Sequence, residues 1–185
     1  ALRDSLARLR LPRVDLYQLH GPISLRSHAA LADALAVGHQ AGLLKAIGVS
    51  NYSLRETRSM DKELRARGLR LATNQIEFSL LRRAPETNGL LAGCRELGVL
   101  PLAYSPIGQG RLTGKYSAEN PPPGRREFSA HPMHVVDKVV AELRRIKRLW
   151  VHHSIAEDAR DIDGLIATLA PDCVYEIVPT GQRWE

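Results

Sequence analysis

Residues 14–22 read VDLYQLHGP. Val14, Leu16 and Gln18 fall on one side of an extended chain, and Asp15, Tyr17 and Leu19 on the other. That period of two marks a strand. The Gly-Pro pair after His20 ends it, so the imidazole stands where the backbone leaves the core. The stretch LRDSLARL precedes it, with Leu2, Leu6 and Leu9 at helical spacing and Pro12 as the stop.

The same alternation continues outward. SHAALADALAVGHQAG predicts a helix with Leu31, Ala34, Leu35 and Gly38 on one face and Gly42 at its end. LKAIGVSN is the next strand. Ser53 and Glu56 then form a Ser-x-x-Glu capping box, opening a helix that runs to about Gly68. LATNQIEF is a third strand. A single helix is expected from Pro85 to Gly98, with Leu90, Leu91, Cys94 and Leu97 inward. VLPLAYSP is a fourth strand.

Strict strand–helix alternation with short linkers builds a parallel sheet, because each helix returns the chain to the same edge. An open doubly wound sheet and a closed barrel both place their chemistry at the carboxyl ends of strands. Those ends are polar here. The first carries His20, the second Ser50 and Asn51, the third Asn74, Gln75 and Glu77, and the fourth Tyr104 and Ser105. Beyond the fourth, Gly108, Gly110 and Gly114 permit close backbone approach, and Lys115 adds a cation. Such a loop can cradle a pyrophosphate, although its glycine spacing is neither the dinucleotide nor the P-loop pattern.

Composition narrows the alternatives. The 185 residues are 44% hydrophobic and 25% charged, with a net charge of +6. The arginines are scattered along helical faces, often beside acids, so the charge reads as solvated helix surface and not as a nucleic-acid footprint. No apolar run is long enough to span a bilayer and no secretion signal opens the chain. Two distant cysteines, Cys94 and Cys173, provide neither a disulfide framework nor metal-ligand spacing. A cytoplasmic protein is expected, with no metal, no nucleic-acid partner and no membrane. His152 and His153, being adjacent, point about 100° apart on a helix and make no metal pair.

Together DLYQLHGP, IGVSNYS, NQIEFSLL and YSPIGQGRLTGKY resemble the aldo-keto reductases, in the family's order and over residues 1–146. The resemblance implies an α/β fold: a partial (β/α)8 TIM barrel of about four βα units, the family's fourth to seventh strands. It implies NADPH as cofactor and a small-molecule carbonyl compound as substrate. His20 matches the catalytic histidine beside the substrate carbonyl. Ser50, Asn51 and Gln75 match the side chains holding the nicotinamide carboxamide, and Tyr104 the aromatic that stacks on the ring. Ser105, Pro106, Ile107, Gly108, Gln109 and Gly110 match the loop over the pyrophosphate, with Lys115 as its cationic partner and Arg125 or Arg126 as further phosphate contacts.

The family's catalytic aspartate, tyrosine and lysine precede the histidine, and Asp15 and Tyr17 do not match them. The expectation is a piece that starts after those residues, lacks the eighth strand, and is inactive as given. With four strands of eight, it should be marginal in isolation or self-associate through its open edges.

From Ser117 the sequence is loop-rich. It then predicts a helix with Val136, Val139, Leu143, Ile146 and Trp150 at helical spacing, running across residues 146–150 without a linker. The tail AEDARDIDGLIATLAPDCVYEIVPTGQRWE predicts a helix through Ile162, Leu165, Ile166 and Leu169, a break at Pro171 and a strand at CVYEIV. It resembles the start of a SnoaL-like, nuclear-transport-factor-2-like α+β domain, so 147–185 is expected to be an incomplete segment of that kind. Asp158, Asp161 and Asp163 read as solvated helix acids. The alternatives to a reductase are a small-molecule-binding or isomerase-type SnoaL-like protein, or a non-functional joined fragment.

Overall fold

The computed structural model describes residues 2–123, 131–169, 175–177 and 182–184. They fall into two compact units, Ala1–Gly110 and Arg111–Glu185. The first unit runs α1 (Leu2–Leu9), β1 (Val14–Leu19), α2 (His28–Gln40), β2 (Leu44–Ser50), α3 (Leu54–Arg65), β3 (Leu71–Glu77), α4 (Ala84–Thr87), α5 (Leu90–Leu97) and β4 (Leu100–Tyr104). The four strands pair in parallel, in the order β1-β2-β3-β4. The alternation read from the sequence is therefore the fold, an α/β sheet of the kind that forms part of a TIM barrel.

The core lies between the sheet and its helices. Ile47 and Val49 of β2 and Leu71 and Ile76 of β3 pack with Ala32 and Leu35 of α2, Met60 and Leu64 of α3, and Leu90 and Cys94 of α5. On α2 the buried stripe is Ala32, Leu35, Ala36 and Gly38, whereas Ala34, expected inward, is exposed. The α2 face is thus rotated slightly from the one the apolar spacing suggested. Burial of Cys94 pushes its thiol pKa up.

Register decides which polar strand residues face the helices. Ile47 pairs with Leu71, but the next residue, Gly48, pairs with Thr73, so Ala72 is the extra residue of a bulge. This shift leaves Leu71 in the helix-side core while Thr73, Gln75 and Glu77 face the other side. The start of β3 is fastened by Asp61, a buried carboxylate that accepts from the Leu71 amide at 3.3 Å and from Arg65 Nε at 2.5 Å.

The single helix expected from Pro85 to Gly98 is instead two, α4 and α5. Asn88 Oδ1 accepts from the Leu90 amide at 3.0 Å, and Gly89 turns into the left-handed region at φ 80°. The side-chain cap offers the backbone an alternative to the helical ladder, and glycine tolerates the turn. Gly93 then lets α5 approach α3, since a Cβ there would stand 2.1 Å from Leu54 Cδ1.

In the second unit a long helix, α6 (Met133–Ala159), is followed by α7 (Ile162–Ile166) and an antiparallel pair, β5 (Tyr175–Ile177) and β6 (Gln182–Trp184). α6 runs unbroken through residues 146–150, as its apolar period predicts. The inward stripe predicted for it is buried at Val136, with Val140 beside it, but Ile146 and Trp150 are exposed. α7 is shorter than the sequence suggests and is capped by Asp161, whose Oδ1 accepts from the Gly164 amide at 3.0 Å.

Candidate functional site

The carboxyl ends of β2, β3 and β4 carry a hydrogen-bonded polar set. Ser50, buried at the last position of β2, donates its hydroxyl to the Gln75 carbonyl at 3.1 Å. The Asn51 amide donates to the same carbonyl at 2.8 Å, and Asn51 Nδ2 to Ser50 Oγ at 3.3 Å. Tyr104 donates its phenol to Asn51 Oδ1 at 3.1 Å. Asn51 has φ 56°, a left-handed conformation that asparagine tolerates better than most residues and that leaves its side chain exposed. Four of the predicted residues, from three strands, thus meet in one place.

His20 follows β1 and is exposed. The last β1–β2 pair is Leu19 with Val49, so His20 lies one step beyond, alongside Ser50. A Cβ on the next residue, Gly21, would stand 4.0 Å from the Ser50 carbonyl oxygen. The histidine is therefore at the same edge as the Ser50–Asn51–Gln75–Tyr104 set.

After β4 the backbone turns sharply. Ser105 has φ 53° and its carbonyl accepts from the Gly108 amide at 2.8 Å, and the Ile107 carbonyl accepts from Gly110 at 3.2 Å. Gly108, Gln109 and Gly110 all have positive φ, at 57°, 55° and 92°. Pro106, Ile107 and Gln109 are exposed along this turn. Two non-glycine residues in the left-handed region each cost on the order of 1 kcal/mol, a local strain of the kind found at ligand-holding loops. Lys115 belongs to the second unit, where its ammonium stands 5.5 Å from the Tyr116 ring centroid. Arg125 and Arg126 lie outside the described residues.

Three neighbouring roles were not singled out from the sequence. Gln18 crosses the sheet to Gln75, with Nε2 donating to Gln75 Oε1 at 3.0 Å, and accepts from Thr73 Oγ1 at 3.0 Å. The signal was present: Gln18 is two residues before His20 on the same strand face, and a glycine, Gly48, stands in the strand between. Asn74, grouped above with the strand-end polar residues, points the other way. It is fully buried and holds the loop after β2, donating to the Tyr52 carbonyl at 2.9 Å and to Thr57 Oγ1 at 3.1 Å. Glu77 is occupied by an ion pair with Arg82 at 3.2 Å.

The capping box at Ser53 and Glu56 is formed, with Glu56 Oε2 accepting from the Ser53 amide at 2.8 Å. Hydrogen bonds from the Ser53 hydroxyl and amide hold the Glu56 carboxyl below its ordinary pKa. At the start of α2, His28 Nδ1 is 2.8 Å from Ser59 Oγ and its ring stacks on Tyr52 at 5.5 Å. Among the described residues no cluster of histidine, cysteine or carboxylate side chains could hold a metal, and no helix is long and apolar enough to cross a membrane.

The architecture agrees with the comparisons with known proteins. Residues 1–159 match the Aldo/keto reductase family, and the chain belongs to it. The chloroplastic pyridoxal reductase of Arabidopsis thaliana is 39% identical over 133 residues, 69% of this chain and 36% of that protein. The 6-dehydroglucose reductase of Novosphingobium aromaticivorans is 38% identical over 120 residues, 65% of this chain and 38% of that protein. Among solved structures, the glycerol dehydrogenase of Gluconobacter oxydans superposes with a TM-score of 0.66 at 27% identity, over 90% of this chain and 48% of that one. A thermostable aldo-keto reductase crystallised with the inhibitor epalrestat gives 0.54 at 30% identity, over 60% and 43%. The chain thus spans well under half the length of these two curated relatives. The family match runs to residue 159, past the boundary at 146 expected from the sequence.

Proposed function

We propose that this chain carries the nicotinamide-holding and carbonyl-facing part of an NADPH-dependent carbonyl reductase. The observation that supports it most is the Ser50–Asn51–Gln75–Tyr104 set, joined by hydrogen bonds at three adjacent strand ends. These residues fit a nicotinamide. Its carboxamide needs both donors and acceptors, which Ser50, Asn51 and Gln75 offer, and Tyr104 brings a half-exposed ring whose phenol is already tethered. When bound, the cofactor would supply a hydride to the substrate carbonyl.

The chain's own groups would do the remainder. His20, at the neighbouring strand end, would donate a hydrogen bond to the carbonyl oxygen, where hydride addition builds negative charge. The amide-bearing side chains would fix which ring face is presented. The exposed turn at residues 105–110, with its left-handed backbone, would lie against the pyrophosphate. The proton required for the alcohol would come from the family's tyrosine, whose motif precedes the histidine. The names of the two curated relatives, both reductases, support the same reaction class.

The test is direct titration of the chain with NADPH, followed by cofactor fluorescence and by calorimetry. Binding is expected, weakened about ten-fold by Asn51→Ala or Gln75→Met, each of which removes a polar partner of the carboxamide. No binding, or equal affinity in all three proteins, would reject the proposal.

A further inference from the structure

Gly48 sits in register between Gln18 of β1 and Thr73 of β3. A Cβ on it would stand 2.2 Å from Thr73 Oγ1, 2.8 Å from Gln18 Cγ and 3.0 Å from Gln18 Oε1. The missing side chain is therefore what lets Gln18 reach over β2. The bulge at Ile47–Gly48 supplies the other half of the arrangement, because it brings Thr73 opposite Gly48.

Both ends of the Gln18 amide are occupied. Its oxygen accepts from Thr73 and its nitrogen donates to Gln75 Oε1, each at 3.0 Å. The terminal torsion of a glutamine is soft, so an isolated Gln75 amide would sample both flips. Here its backbone carbonyl is held from β2 by Ser50 and Asn51, and its side chain from β1 by Gln18. The strand that leads to His20 is thus tied to the side chain of Gln75.

We propose that Gln18 is a positioning residue that sets the orientation of the Gln75 carboxamide, and through it the fit of the nicotinamide amide. The second clause rests on the cofactor reading above; the first does not.

Two measurements separate them. In the ligand-free chain, the side-chain amide signals of Gln75 should be dispersed in the NMR spectrum of the wild type. They should collapse toward a free-glutamine pair in Gln18→Met, which keeps length and volume but removes the amide. Thr73→Val, which frees the Gln18 oxygen, should shift them in the same direction by less, and it decides the matter should the methionine variant not fold. Unchanged Gln75 signals in a folded variant would overturn the proposal.

Then NADPH affinity should fall about three- to ten-fold in Gln18→Met. It should fall no further when the same change is made in Gln75→Met. An equal loss in both backgrounds would show that Gln18 acts independently of Gln75 and would overturn the positioning role. If Gln75→Met alone leaves NADPH affinity intact, the cofactor reading fails, while the NMR result still decides whether Gln18 orients Gln75.

Discussion

Asn74 shows how much one buried side chain can organise. Its amide satisfies the carbonyl of Tyr52 and the hydroxyl of Thr57, and its oxygen accepts from the Tyr52 amide at 3.4 Å. Removing it takes these bonds from the Tyr52 amide and carbonyl, while the Thr57 hydroxyl keeps its bond to the Ser53 carbonyl at 2.8 Å, so Asn74→Ala should cost about 2–3 kcal/mol in urea unfolding. The same variant loosens the loop that starts at Asn51, so NADPH affinity should fall with it. Gly48 is as constrained for the opposite reason: it must have no side chain. Gly48→Ala should cost about 2 kcal/mol, because the added Cβ would stand 2.2 Å from Thr73 Oγ1 and 2.8 Å from Gln18 Cγ, and both side chains would have to give up their places. Thermal unfolding of the two variants measures both. The residue types at this edge were legible in the sequence. Their directions were not, since adjacent residues Asn74 and Gln75 serve opposite faces of the sheet and only register assigns them.

The elements were more legible than their interruptions. Strands end within one or two residues of the sequence reading because alternation and turn residues are local signals. The break at residues 88–89 was not legible, because the apolar spacing continues across it while the side chain of Asn88 competes with the helix backbone. Gly89→Ala forces alanine into φ 80° and should cost about 1 kcal/mol. The cap of α3 makes a pH-dependent prediction. The native Glu56 carboxyl is held below its ordinary value of 4.5, so its contribution is complete above that value. It is lost as pH falls through the depressed native value. The stability gap between wild type and Glu56→Ala should therefore narrow in acid. A gap that widens there would show that the carboxylate does not act through the cap.

At the scale of the whole molecule, β1 and β4 each pair on one side only among the described residues. Such edges carry free backbone donors and acceptors, and Leu100 of β4 is 61% exposed. Sedimentation of the isolated chain should show concentration-dependent self-association, reduced by a Lys substitution at Leu100. A dilution-stable monomer would count against it. The sequence by itself determined the order of strands and helices, the polar strand ends, the α3 cap and the family, because these depend on residues close in the chain or on motifs read in line. Only the tertiary structure decided that Gln18 and Gln75, 57 residues apart, hold one another, that Asn74 turns away from them, and that one predicted helix is two. Those outcomes depend on strand register, a bulge and an absent Cβ. Each is a consequence of packing between elements, and no local period encodes them.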